Sequence, residues 1–286
     1  MRRRSNNKWR SILIRRKVFC ETLGTTLHLP DKIERIVSFS PAVTETLFLL
    51  GAGDEIAGVS AFCARPPEAR RKKVLGSYNT VSMDTLKEIG PDVLFTTTGY
   101  QREFAARLAK NFPVYALELP VSVSGIVDFA QKVGLVTGRV FEGAALSRRM
   151  LESLASCNQV KTRIRAYLEI DFNGPVSFGA YSYITDAMRY LGVESIYGNQ
   201  FCEWLTPDLD FVGRSDPEVI FYEAKMYSRF EDEDFSRLLS SRGWENVRAV
   251  KEGHAFLAPR PLDFFAHHGP SFITEALPWM RARLEQ

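Results

Sequence analysis

The feature that most constrains this chain is that it repeats itself. Thr44 to Gly58 reads TETLFLLGAGDEIAG, and Thr185 to Gly198 reads TDAMRYLGVESIYG. Thr44 pairs with Thr185, Glu45 with Asp186, Leu47 with Met188, Leu50 with Leu191 and Gly51 with Gly192. Each stretch reads as a helix stopped by glycine at its C′ position, where a positive φ is needed. A second pair follows in the same order. Asp84 lies seven residues before Pro91-Asp92-Val93-Leu94-Phe95, and Asp210 lies seven before Pro217-Glu218-Val219-Ile220-Phe221. Each predicts a short helix, a Pro-acid turn and a buried strand. Matched features in one order predict two duplicated α/β lobes. Chance likeness is the alternative, since α/β proteins reuse short helix–strand units.

Between the repeats, Arg139 to Ile164 predicts a single long helix. Phe141, Ala144, Ala145, Leu151, Leu154 and Ala155 recur at helical spacing, with Arg148, Arg149 and Glu152 among them. At 1.5 Å per residue it would span roughly 35–40 Å, enough to link two lobes. An ordinary core helix would carry the same stripe. The expected division is a basic tail over 1–17, a first lobe over 18–138, the helix over 139–164 and a second lobe over 165–286.

A chain of 286 residues can hold two domains, each with its own core. At 45% apolar and 25% charged it has the composition of a globular protein. No apolar run nears the 18 or so residues that cross a bilayer. The net charge of +3 hides an asymmetry: Met1 to Lys17 holds eight basic residues and no acid, which leaves the remainder at −5. Such a tail could touch an anionic membrane surface or nucleic acid; a solvated, disordered extension is the simpler reading. It opens like a signal peptide, but Ile12-Leu13-Ile14 is too short for an apolar region. Taken as written, the chain is expected to be cytoplasmic; a start further upstream would make it extracytoplasmic. Cys20, Cys63, Cys157 and Cys202 form no CxxC and match no zinc spacing. Four free thiols are expected, with one bridge left open.

Strand and helix predictions alternate along the chain. In the first half, strands are expected at Arg35–Phe39, Ile56–Ser60, Val93–Thr97 and Val114–Leu117, with helices at Ala42–Leu50, Glu103–Asn111 and Ser122–Thr137. A hairpin over Val18–Pro30 precedes them. In the second half, strands are expected near Arg165–Ile170, Val219, Ala249-Val250 and His254–Leu257. Loops are expected at Asp171–Ala180, Cys202–Trp204 and Pro259–Pro270, and a last helix at Ser271–Leu284. This alternation predicts parallel sheets flanked by helices.

RIVSFSPAVTETLFLLGAGDEIAGVS resembles the cobalamin and ferric-siderophore substrate-binding proteins of ABC importers. The segments VFCETLGTTLHLPDKIERIVSFSP, SMDTLKEIGPDVLF, WLTPDLDFVGRSDPEVIF and LDFFAHHGP are similar to that family's opening hairpin, two docking regions and closing loop. The resemblance covers Val18 to the C-terminus. It implies an α/β fold of two Rossmann-like lobes with parallel sheets, joined by one long helix. It also implies a monomer that binds a small metal-chelate ligand in the cleft between lobes and performs no chemistry.

Site roles follow from the resemblance position by position. Asp84 and Asp210 match the acids that dock on a membrane permease, as aspartate where glutamate is common. First-turn acids favoured by the helix dipole are the structural alternative. The ligand-facing positions are Phe62, Tyr78 and Tyr100 in the first lobe, and Phe172, Tyr181, Trp204, Asp263, Phe264 and His267 in the second. Aromatic faces suit a large planar ligand such as a corrin or haem, although single aromatics are more often core. His267 stands where cobalamin-binding members have an arginine, so cobalamin, a ferric siderophore and haem all stay open. An intracellular corrinoid- or tetrapyrrole-binding relative and a chelatase-like enzyme are the alternatives. With four histidines in all, a dedicated metal site is not expected. Neither are a cofactor, a catalytic residue and a nucleic-acid partner. No GxSxG, P-loop or GxGxxG appears.

Overall fold

The computed structural model describes residues 15–157 and 164–285, with the side chains of Arg15 and Tyr100 left undescribed. Two compact units emerge. Unit 1 is 1–118 with 133–140, and unit 2 is 119–132 with 141–286.

Unit 1 opens with the antiparallel hairpin β1 (Arg15–Cys20) and β2 (Thr25–Pro30). Arg15, Arg16 and Lys17, expected in a disordered tail, are thus strand residues; 1–14 lie outside the described residues. Five parallel strands follow: β3 (Ile36–Ser38), β4 (Ile56–Ser60), β5 (Val74–Gly76), β6 (Val93–Thr97) and β7 (Val114–Leu117). Their order is β5-β4-β3-β6-β7. Every residue of β3, β6 and β7 is buried, as expected of parallel strands covered on both faces. Helices α1 (Pro41–Leu49), α2 (Met83–Ile89) and α3 (Arg102–Leu108) connect the strands.

Helix α4 (Val123–Thr137) has residues in both units, and α5 (Val140–Ser156) lies almost wholly in unit 2. Gly138, at φ +78°, separates them. The helix expected over Arg139–Ile164 is therefore shorter. It ends at Ser156, 158–163 lie outside the described residues, and Ile164 begins a strand.

Unit 2 contains β8 (Ile164–Asp171), β9 (Pro175–Phe178), β10 (Val193–Ser195), β11 (Trp204–Leu205), β12 (Val219–Glu223) and β13 (Ala255–Leu257). β10, β12 and β13 are parallel with β8 or with each other, repeating the β4-β3-β6-β7 plan. Two antiparallel strands depart from the all-parallel expectation: β9 folds back on β8, and β11 pairs with β9. The helices are α6 (Tyr183–Tyr190), α7 (Leu209–Ser215), α8 (Asp232–Ser241), α9 (Arg248–Lys251) and α10 (Leu277–Arg283), the last preceded by a π-helical turn, Phe272–Ala276. Ala249 and Val250, expected in a strand, belong to α9. The Ala249 N–H donates to Pro217 O at 3.0 Å, which ties this short helix to the start of β12.

The repeats coincide with repeated structure. Gly51 and Gly192 follow α1 and α6 at φ +74° and +81°. α2 is capped by Ser82 and closed by Gly90, and α7 is capped by Asp208 and closed by Asp216, both closures being left-handed. A third correspondence joins them. Asp92 accepts the Arg35 N–H at 2.8 Å while Arg35 Nε donates to Gly90 O. Glu218 accepts the Arg165 N–H at 2.8 Å while Arg165 Nη2 donates to Asp216 O. In both units the Pro-acid turn thus pins the start of the first parallel strand. Each satisfies backbone N–H groups that a strand's first residue leaves open.

Candidate functional site

In unit 1 the C-terminal ends of β3, β4, β5 and β6 are stitched together by buried polar groups. Gln101 is fully buried and uses its whole amide. Its Oε1 accepts from the Thr97 N–H at 2.8 Å and from Thr97 Oγ1 at 2.9 Å. Its Nε2 donates to Phe39 O at 2.9 Å and Tyr78 O at 2.5 Å. Beside it, Thr44 Oγ1 lies 2.9 Å from Ser38 Oγ and 3.1 Å from Cys63 Sγ, with Ser60 Oγ 3.2 Å from the same sulfur. These groups satisfy one another and fix the loops above them.

Those loops carry the first-lobe positions. Phe62 follows β4 and is 44% exposed. It meets half-buried Tyr78 edge to face at 6.2 Å. Tyr100 stands in the 3₁₀ turn Gly99–Gln101, and its side chain is not described.

Unit 2 brings a second aromatic group together. Phe172 caps the end of β8 at 55% exposure. Tyr181 lies between β9 and α6, and Trp204 opens β11 opposite Phe178. Their loops are zipped by three backbone bonds: Gly179 N–H to Glu203 O at 3.2 Å, Ala180 N–H to Gln200 O at 2.7 Å and Tyr181 N–H to Cys202 O at 3.0 Å. A Cβ on Gly179 would lie 2.6 Å from both Cys202 O and Gln200 O, so only glycine permits this approach. Phe201, missed from sequence, is 86% exposed and sits 6.4 Å from the Tyr181 ring. Its place beside Cys202-Glu203-Trp204 was the available signal. Burial raises the pKa of the half-buried Glu203 in this loop.

The closing loop differs from expectation. Phe264 is buried, packed on Phe265 at 5.3 Å and Trp279 at 5.6 Å. His267 is 3% exposed. Neither offers an open face, and only Asp263 of the three loop positions is partly exposed. What holds the loop is Glu223, a residue not singled out from sequence. Its Oε2 accepts the N–H groups of Phe265 and, at 3.2 Å, Ala266. Tyr183 Oη donates to Phe265 O at 2.6 Å. Burial, together with the nearby Asp263 carboxylate, pushes the Glu223 pKa up to about 8, against the pull of the loop N–H groups.

Asp84 and Asp210 occupy matching places as the second residues of α2 and α7, and both are exposed. Asp84 makes an ion pair with Lys87 at 3.2 Å. Among the described residues, no group of three or more His, Cys, Asp or Glu side chains is placed to hold a metal ion.

A profile described as periplasmic binding protein matches residues 36–262. The molybdate-binding protein MolA of Haemophilus influenzae is 22% identical over 303 aligned positions, covering 94% of this chain and 84% of MolA. The structure of MolA bound to molybdate superposes with a TM-score of 0.77 over 94% of this chain and 91% of that one. A vitamin B12-binding protein of Yersinia pestis is 21% identical over 204 positions, covering 69% of this chain and 72% of its own length. The periplasmic heme-binding protein RhuT of Roseiflexus, in apo form, superposes with a TM-score of 0.72 at 18% identity, over 88% of this chain and 97% of that one. At such identities the structural likeness is one of fold.

Proposed function

The chain belongs to the periplasmic binding protein family, a family of binding proteins and not of enzymes, and from that premise we propose that it is the substrate-binding component of an ABC importer for a metal chelate. The ligand class is a corrinoid, a haem or a ferric siderophore. The observation that carries this reading is the set of open aromatic faces: Phe62 in unit 1, and Phe172, Tyr181, Phe201 and Trp204 in unit 2. Apolar rings left in water, Tyr181 and Phe201 of unit 2 side by side among them, mark a recognition surface. Rings of this size bury much apolar area against a planar ligand. An oxyanion such as molybdate is the second reading, favoured by the breadth of the match to MolA.

Asp84 and Asp210 are the proposed contacts to the permease. Their matched placement at the starts of α2 and α7 supports this more than either residue alone. A helix start would favour an acid anyway, but the dipole does not require both side chains to be open to a partner. Work with a permease would put the chain outside the cytoplasmic membrane, the second of the two locations left open by its sequence, and membership of the periplasmic binding protein family supports that location over a cytoplasmic one. No described helix is long and apolar enough to cross a membrane.

The test is uptake by cells carrying Asp84→Lys with Asp210→Lys. Transport is expected to fall to background while the purified variant binds ligand as tightly as the wild type. Unchanged transport would remove the docking role.

A further inference from the structure

Three non-glycine residues among those described have a left-handed backbone: Asn173 at φ +69°, Asp216 at +46° and Tyr227 at +62°. Asn and Asp tolerate that region, and Asp216 uses it to close α7. A tyrosine does not tolerate it well, and Tyr227 ends no helix. Its strain is imposed by the loop after β12. The Tyr227 N–H donates to Pro261 O at 2.8 Å, and the Ser228 N–H to Lys225 O at 2.9 Å. Lys225 Nζ in turn donates to Asn173 Oδ1, in the turn beside Phe172. Just upstream, Glu223 holds the loop of Asp263. The Tyr227 loop is therefore tied to both segments that flank it at the C-terminal end of β12, while Tyr227 itself stays 53% exposed. Strained backbone persists where surroundings over-determine it, and such places cluster at ligand clamps. Glycine would fit this position without strain, so the ring is what the strain presents.

We propose that Tyr227 is a further ligand-contacting residue, presented beside Phe172 and Asp263 by the left-handed turn that its loop imposes. This rests on the ligand-binding reading above. The test compares wild type, Tyr227→Gly, Tyr227→Phe and Trp204→Ala by fluorescence titration with cyanocobalamin, haemin and ferrichrome, and by thermal unfolding. Tyr227→Gly relieves the backbone, so its Tm should equal or exceed that of the wild type. Its affinity for the tightest-binding probe should fall about ten-fold, the size of one lost aromatic contact. Tyr227→Phe, which keeps the ring, should bind as the wild type does. If Tyr227→Gly also binds like the wild type while Trp204→Ala is weakened, the role of Tyr227 falls and the site stands. If the wild type binds none of the three probes, both fall.

Discussion

Glu223 is a buried carboxyl group, and that makes it a pH-dependent element of the fold. Its ordinary pKa lies near 4.5, and in the folded chain it stands at about 8. Between these values the native state holds a proton that the unfolded chain has released. Stability from this residue is therefore fully present below about pH 4.5, is lost as pH rises towards 8, and stays flat beyond. The slope inside that window is at most about 1.4 kcal/mol per pH unit. Glu223→Gln keeps an acceptor for the Phe265 and Ala266 N–H groups but removes the titration. Urea unfolding from pH 5 to 8 should show the variant gaining on the wild type as pH rises. Parallel curves would contradict the assignment. Nothing in FYEAKMYS distinguished Glu223 from a solvated strand-end acid. Its burial comes from a loop some forty residues downstream in the chain. Gln101 was hidden in the same way, because its four bonds reach three residues that follow or end three different strands. Phe264 and His267 depart in the opposite direction, being buried. They were expected to face a ligand, but Trp279, on the last helix, covers the ring of Phe264.

Elements were more legible than single residues wherever a local signal fixed them. Ser40-Pro41 and Gly51 bracket α1, with Ser40 Oγ accepting the Val43 N–H, and Gly192 closes α6. The helix expected over Ser122–Thr137 matches α4 to within one residue. A Cβ at Gly51 would meet nothing within 4 Å, so the cost of Gly51→Ala is conformational alone, about 1–2 kcal/mol. Chemical denaturation is the check, and a change below a few tenths of a kcal/mol would mean that the cap is dispensable. Strands β9 and β11 were not legible, being four and two residues long. Their pairing joins Phe178 to Trp204 and is set by tertiary contact. Yet this pairing is what brings Tyr181, Phe201 and Trp204 into one neighbourhood. The helix expected to reach Ile164 failed for a related reason. Its apolar stripe thins after Ala155, and the Arg165 N–H is claimed by Glu218 at the start of β8.

At the scale of the molecule, the duplication carried the reading. Two matched pairs of short motifs led to two α/β units, and the units repeat strand order, helix caps and the Arg–acid pin at each first strand. The repeats cease to match in their loops. Unit 1 has a polar, hydroxyl-rich edge with Phe62 and Tyr78; unit 2 has the β9–β11 extension with its open rings. Function in this fold follows from such unshared loops more than from the shared sheet. The measurement that tests the account most directly is a titration of the purified protein, read by tryptophan fluorescence and absorbance. The probes are cyanocobalamin, cobinamide, haem, ferric siderophores and molybdate, each against wild type and Trp204→Ala. The account predicts saturable, micromolar or tighter binding of one of the flat or metal-chelate probes, weakened in Trp204→Ala. Saturation by molybdate alone, or by none of them, would contradict it.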